Sequence, residues 1–407
     1  MSSSRSSLIQ GLRDILGVLL LLGGGLFILY CLSQSMLPAS NLPFVADFHD
    51  YWLAAGRAAQ GGSPYNPTML LGPLGSQGLD IYRYPPVLSF LLIPLSGLSF
   101  QDAGLIWLSI TGLGIAIGLL TALWAGGAKF SPRAILWTGV AAVLFYPTLD
   151  SLMKGNVEGL QVLLIGLALI PNTRSRALSI AANGWLKISP ALLVPALLIR
   201  EGRRGLLWLM IGSAILVIPA FIWSPEGFWQ FPRILINISG AATAVPANLA
   251  PSSWLELVTG SGALGAGVRA MMIISAIGLV ALSVWLARQP EGWAAALLVG
   301  LSASLIMPGT IWEHYLLILL PFGVYAWAHL SFRAKTLLAL AGAAISVGGL
   351  FNSPLAFLGA STFVLVILNS LWPEQSQRES SLKPTKGTES FILGSRSNAG
   401  GRDDVLA

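Results

Sequence analysis

Ile15–Met36, ILGVLLLLGGGLFILYCLSQSM, decides the fold class. Ala46–Pro67, ADFHDYWLAAGRAAQGGSPYNP, lies just beyond it and is the place to look for chemistry. The first stretch is an apolar run without a charge, and a helix needs about 20 such residues to cross a bilayer. Met1–Asp14 before it is Ser-rich and basic through Arg5 and Arg13, which holds that end in the cytoplasm. No small-residue cleavage site follows the run, so the span is expected to stay as an anchor. The second stretch therefore emerges on the outer face.

Within it, Asp47 and Asp50 stand three residues apart with His49 between them. Tyr51, Ala54, Ala55, Ala58 and Ala59 then recur at helical spacing, which predicts a short amphipathic helix suited to a membrane surface. Gly61-Gly62 ends it and Ser63-Pro64-Tyr65-Asn66-Pro67 turns the chain. Asp47 is placed to cap the helix with its side-chain oxygen, or to act as a general base on an acceptor hydroxyl.

Composition extends the reading to the whole chain. Of 407 residues, 55% are hydrophobic and 10% charged, whereas soluble domains carry roughly 25% charged residues. The fold class is all-α and polytopic, with about ten to twelve transmembrane helices. One cysteine, Cys31, leaves no intramolecular disulfide and no cysteine-based metal cluster. The net charge of +6 does not imply nucleic acid, because the basic residues gather in short loops between apolar runs. A single membrane domain, 1–372, is expected, with outer loops at about 38–86 (carrying Gly72, Gly75 and Gly78) and 224–267. The polar tail 373–407 is expected to be disordered and cytoplasmic. Trp223, Phe228, Trp229, Phe231 and Trp254 are expected as interfacial anchors of the second loop.

Topology turns on two interrupted runs. If every apolar run crosses, Lys129/Arg133 and Arg174/Arg176 fall outside, against the positive-inside bias. If 87–98, broken by Pro94, does not cross, and 177–199, broken by Lys187 and Pro190, is two half-helices returning to one side, all basic loops fall inside with Arg200–Arg204. Asp150–Glu158 then joins Asp47 outside. Broken helices are tolerated where they line a polar cavity, and this second arrangement is the expected one.

Ionisable groups at membrane depth are functional candidates. They include Asp47, Asp50, His49, Arg57, Arg83, Lys154, Glu158, Lys187, Arg269, Glu313 and His314. Lys187, in an apolar stretch, could snorkel to an interface or meet a lipid phosphate. Arg83 is a second phosphate candidate. Lys154 and Glu158, four apart, could pair with each other. Trp312-Glu313-His314-Tyr315 combines an aromatic platform, an acid and an imidazole. No Walker motif, dinucleotide fingerprint or Asp-x-Asp pair is present, and no residue spacing suggests a metal site. No metal or nucleotide cofactor is expected, and an activated donor would itself be membrane-bound.

The order of motifs resembles the bacterial GT-C glycosyltransferases of family 87, over about residues 46–325. The resemblance is carried by Asp47-Phe48 with Tyr51, Ala54-Ala55, Gly61, Pro64-Tyr65, Tyr84-Pro85-Pro86 before Pro94-Leu95, then Gly155-Asn156, Lys187 ahead of Pro190, and Trp312–Tyr315 before Pro321. The chain departs from the family in reading Gly155-Asn156-Val157-Glu158 and Glu313-His314. The resemblance implies an inverting transfer of a hexose, mannose first among them, from a polyprenyl-phosphate donor to a lipid or glycan acceptor outside a bacterial inner membrane. It makes Asp47 the base and Lys187, with Arg83, the holder of the donor phosphate. It places Asp50, Tyr51, Tyr65, Tyr84, Asn156, Glu158, Glu313 and His314 around the substrates. The alternative from a different class is a transporter or flippase of a lipid-linked or anionic solute, built on the same broken helices and buried cation.

Overall fold

The computed structural model describes residues 2–37, 44–71, 80–239 and 247–372. The loop glycines Gly72, Gly75 and Gly78 and the tail from residue 373 lie outside the described residues. Backbone amides in lipid have no water to bond, so apolar runs must satisfy them internally as helix. Among the described residues every regular element is accordingly helical. Five helices are long and apolar enough to cross a membrane: Ile9–Ser35, Phe100–Ala125, Ser189–Trp223, Gly262–Arg288 and Phe332–Leu350. Pro132–Leu144 and Tyr146–Lys154 reach that length only together, bent by 65° at Phe145, and Glu158–Leu169, Trp293–Ile306 and Leu355–Ser370 are shorter apolar helices of the same bundle. The protein is an all-α polytopic membrane protein.

Small residues set the closeness of one helix pair. Phe100–Ala125 and Glu158–Leu169 run side by side with Gly114 and Gly118 facing Gly159 and Gly166, and a Cβ on Gly114 would sit 2.7 Å from the carbonyl oxygen of Gly159. Without apolar solvent exclusion to drive association, such backbone-to-backbone packing is how membrane helices hold together.

Both interrupted runs are broken in the structure. Residues 87–98 form two short pieces, Pro86–Leu91 and Ile93–Ser96, too short to cross. The run 177–199 is a helix, Thr173–Leu186, that stops at Lys187 (φ −151°, ψ 120°) and resumes through Ser189–Leu193 into Val194–Trp223. The two limbs return to one end, because Arg176 bonds Glu201 at 2.6 Å. Helical geometry breaks again at Gly202 (φ 57°, ψ −142°), within the basic loop, and the chain then comes back to the opposite end, where the Trp223 indole donates to the Ala58 carbonyl at 2.6 Å.

The bundle thus has two unlike ends. At one, Arg133 pairs with Asp14, Arg176 with Glu201, and Arg200 with the carbonyls closing Gly262–Arg288. At the other lie the first-loop helix Ala46–Ala59, Tyr146–Lys154, Lys187 and Glu313–Leu319.

The first-loop helix has the expected amphipathic face, but protein rather than lipid covers it. Phe48, Tyr51, Ala54, Ala55 and Ala58 are buried, and Phe48 stacks on Trp107 of Phe100–Ala125 at 5.5 Å between ring centres. Tyr65, Tyr82 and Met69 complete a satellite core beneath it. In the second loop Trp223, Trp229 and Trp254 are exposed, whereas Phe231 is buried against Tyr65, 6.3 Å between parallel rings, and Phe228 is only half-exposed.

Candidate active site

Asp47 lies in the first turn of Ala46–Ala59, but it does not cap it. The N-cap is Val45, at φ 42° and ψ 54°, and no side chain caps the helix. A β-branched residue in this left-handed region is strained by roughly 1–3 kcal/mol and persists only where packing dictates it. Here the Val45 amide donates to the carbonyl of Met153 at 3.0 Å, and the side chain is fully buried. The opposing helix ends on Gly155 (φ 64°), where a Cβ would lie 2.8 Å from that of Val45 and 2.9 Å from that of Phe48. Glycine at this position lets the two segments touch, which brings Asp47 to Asn156.

Asn156 is the hub. Its Oδ1 accepts from the Val157 amide at 2.6 Å and from the Tyr84 hydroxyl at 3.2 Å. Its Nδ2 donates to Asp47 Oδ2 and lies 3.0 Å from His314 Nε2. The other imidazole nitrogen, Nδ1, is 3.0 Å from Asp150 Oδ2. Lys154 Nζ donates to that same Asp150 oxygen at 3.0 Å and lies 3.6 Å from Glu313 Oε2. The pair with Glu158 that the spacing allows does not form; the lysine turns one helical turn back, to Asp150. Asp150, placed on the outer side with the segment up to Glu158, is not among the candidate residues read from sequence, although its i,i+4 spacing to Lys154 just ahead of Gly155-Asn156 is a signal the sequence carries.

These groups open onto a cavity of about 590 Å³, within the usual range for small-ligand sites. Asp47, Asp50, Asp80, Arg83, Tyr84, Lys154, Asn156, Trp312 and His314 are among the residues that line it. The Asp47 side chain is 35% exposed and Lys154 31%, so both reach the cavity. Asp50 lines it as well. Burial, with Asp47 nearby, holds the Asp50 carboxyl above the usual carboxylate range, and its Oδ1 accepts from the Asp80 amide at 3.1 Å. Asp80 is held by a bidentate pair with Arg57, at 2.6 and 2.9 Å, which accounts for Arg57 structurally. His49 packs edge-on against Phe100 at 5.1 Å. Tyr51 lines the cavity as well, its ring edge-on to that of Tyr84 at 4.9 Å.

Asp150, Glu313 and His314 offer ligand-type atoms within 4.8 Å of one another. The Lys154 ammonium sits among them and supplies the positive charge at that point.

The signature of glycosyltransferase family 87 matches residues 82–308. The chain belongs to glycosyltransferase family 87. No curated protein matches it. The matched stretch carries Arg83, Tyr84, Asp150, Lys154, Asn156, Glu158 and Lys187, while Asp47 and His314 flank it on either side. A glycosyltransferase has a sugar donor and an acceptor to accommodate, and this cavity gathers most of the side chains expected to do so.

Four residues expected at the transferase's substrates do not line this cavity. Glu158 is fully buried and bonds Lys187 at 2.6 Å; the lysine is 16% exposed and lies against the face of Tyr315, 3.2 Å from the ring centre. Neither lines the cavity. Lys187 is thus held by an internal carboxylate behind Tyr315, as a cation in an apolar wall must be paired. Tyr65 donates its hydroxyl to the Tyr84 carbonyl at 2.9 Å and is a strut of the satellite core. Glu313 is buried behind Lys154, outside the cavity wall.

Proposed function

We propose that this family 87 enzyme is of the GT-C type and transfers a hexose, mannose being the leading candidate, from a polyprenyl-phosphate donor to an acceptor hydroxyl. The reaction takes place on the outer face of a bacterial inner membrane, with inversion at the anomeric carbon. The observation that carries the reading is Asp47: a carboxylate on the cavity wall, half-open to it, with one oxygen fixed by Asn156. The acceptor oxygen attacks the anomeric carbon while its proton passes to Asp47, and the glycosidic phosphate bond breaks with its electrons going to the lipid phosphate. Lys154 and Arg83, the two basic side chains on the cavity wall, stabilise the phosphate charge as it develops. Lys154 thereby takes the part that the resemblance gives to Lys187. Membrane lipid is the natural route for both substrates, and the sided distribution of basic loops orients the cavity outward.

The test is Asp47→Asn in membranes supplied with radiolabelled polyprenyl-phosphate mannose. General-base catalysis is worth roughly 10²–10⁴-fold, and transfer is expected to fall by that order with the protein still folded. Undiminished transfer removes Asp47 from the role. Donor uptake into sealed vesicles without transfer indicates a carrier instead.

A further inference from the structure

Asn156 has two amide hydrogens and two lone pairs, and the structure accounts for all four. Oδ1 is fixed by the Val157 backbone amide, which can only donate, and by the Tyr84 hydroxyl. The amide nitrogen is thereby turned toward Asp47, which can only accept when ionised, and toward His314 Nε2. A flipped amide would set oxygen against carboxylate oxygen on one side and nitrogen hydrogens against Val157 N–H on the other. An NH₂ group facing Nε2 must donate to it, so Nε2 carries no proton. The imidazole proton is on Nδ1, where Asp150 Oδ2 accepts it at 3.0 Å. Lys154, 3.4 Å from Nδ1, donates to the same Asp150 oxygen, and Glu313 faces the lysine from the next element.

From this geometry we infer that Asp150 and His314 are positioning residues for Asp47, acting through Asn156: Asp150 fixes His314 as the neutral Nδ1–H tautomer, whose bare Nε2 orients the amide that holds the Asp47 carboxylate. The inference rests on the reading of Asp47 as the base, and it adds the chain that aims it. Each link is buried: Asp150, Asn156 and His314 are all below a tenth exposed. The links also come from three separate segments, Ala46–Ala59, residues 150–156 and Glu313–Leu319. A carboxylate that sets an imidazole tautomer is a known device: its isosteric amide leaves the geometry intact but puts the ring proton on the wrong nitrogen.

Asp150→Asn is the decisive variant. An asparagine amide at 150 can donate to Nδ1 and favour the Nε2–H tautomer, whose hydrogen would oppose that of Asn156. Two readouts separate the inference from the function it rests on. The first is ¹⁵N NMR of histidine-labelled full-length protein in lipid; with three histidines in the chain, His314 is assigned by its loss in His314→Gln. The expected resonances are a neutral imidazole protonated at Nδ1 in the wild type and an Nε2–H or mixed form in Asp150→Asn. An Nε2–H or doubly protonated His314 in the wild type near neutral pH overturns the inference, whatever the donor proves to be.

The second readout is transfer from radiolabelled polyprenyl-phosphate mannose. Asp150→Asn is expected to lower kcat by roughly 100-fold or more, with the donor KM unchanged within about threefold, as the wrong-tautomer precedent implies. His314→Gln, which presents an acceptor oxygen to Asn156, is expected to retain more activity than His314→Ala. Equal loss in Gln and Ala, or a loss confined to KM, overturns the positioning role. Should Asp47→Asn stay active, the base reading fails while the tautomer result stands on its own.

Discussion

Two partly buried lysines, Lys187 and Lys154, stand near the same end of the bundle and have opposite situations. Lys187 meets one carboxylate, Glu158, that is sealed from the cavity, and a tyrosine ring covers it. Lys154 meets two carboxylates and still shows about a third of its side chain to the cavity, with the Trp312 ring beside it at 5.9 Å. The difference shows that a cation in an apolar stretch is not for that reason available to a ligand. Desolvation compels a partner in either case. Whether the charge also reaches a substrate depends on the surroundings left open around the pair.

The sharpest way to break this comparison is to remove one partner of the sealed pair. Glu158→Gln leaves Lys187 buried and uncompensated, which costs about 3–5 kcal/mol for pairs of this kind. A large fall in thermal stability in detergent is expected. The double variant Glu158→Gln/Lys187→Met removes the charge altogether and is expected to regain most of the loss. A single variant as stable as the wild type would show that Lys187 has another partner, and the distinction drawn here would collapse.

The open lysine is expected to behave the other way round. Lys154→Met removes a charge-assisted contact to the donor phosphate, worth about 1.5–3 kcal/mol, so transfer efficiency should fall by roughly 10–100-fold. Stability should drop less than in Glu158→Gln, because Asp150 keeps His314 as a partner. Measuring kcat/KM and melting temperature on both variants gives the contrast directly. If Lys154→Met loses stability as severely as Glu158→Gln yet leaves kcat/KM for the donor intact, Lys154 is structural and Arg83 alone remains for the phosphate.

How far the sequence could be read follows from the same physics. Apolar run length, the breaks at Pro94 and at Lys187-Pro190, and the amphipathic spacing from Tyr51 to Ala58 are local patterns, and each appears in the structure as a helix, a break or a buried face. Asp47, Asn156 and His314 were legible as candidates because polar residues are scarce in such a chain. Their partners were not. The spacing of residues 150–158 lets Lys154 turn either to Asp150 or to Glu158, since each lies one helical turn away. The choice is made by Gly155, whose left-handed conformation ends the helix between them. Tyr65 and Phe231 look like surface aromatics in sequence, and only the fold brings their rings together.

The smallest expected effect concerns Asp50, which shares the cavity with Asp47 but lacks a cationic partner as close as those of Asp150. Burial and the neighbouring Asp47 raise its folded-state pKa. A group raised in this way contributes stability that is fully present below its unfolded pKa of about 3.9 and is lost as pH rises through the folded value. At neutral pH the ionised Asp50 therefore works against folding. Asp50→Asn removes that charge and keeps an oxygen to accept the Asp80 amide. The variant should melt about 1–3 °C above the wild type at neutral pH, with the gap closing as pH falls into the ordinary carboxylate range. Melting curves of the two proteins across that interval test it, and a gap that does not change with pH would mean that Asp50 is better solvated than its place in the cavity wall implies. Activity at neutral pH adds the functional half of the comparison. If Asp50 only lines the wall, turnover survives the substitution that abolishes it at Asp47, and the two carboxylates of the first-loop helix part company as the two lysines do.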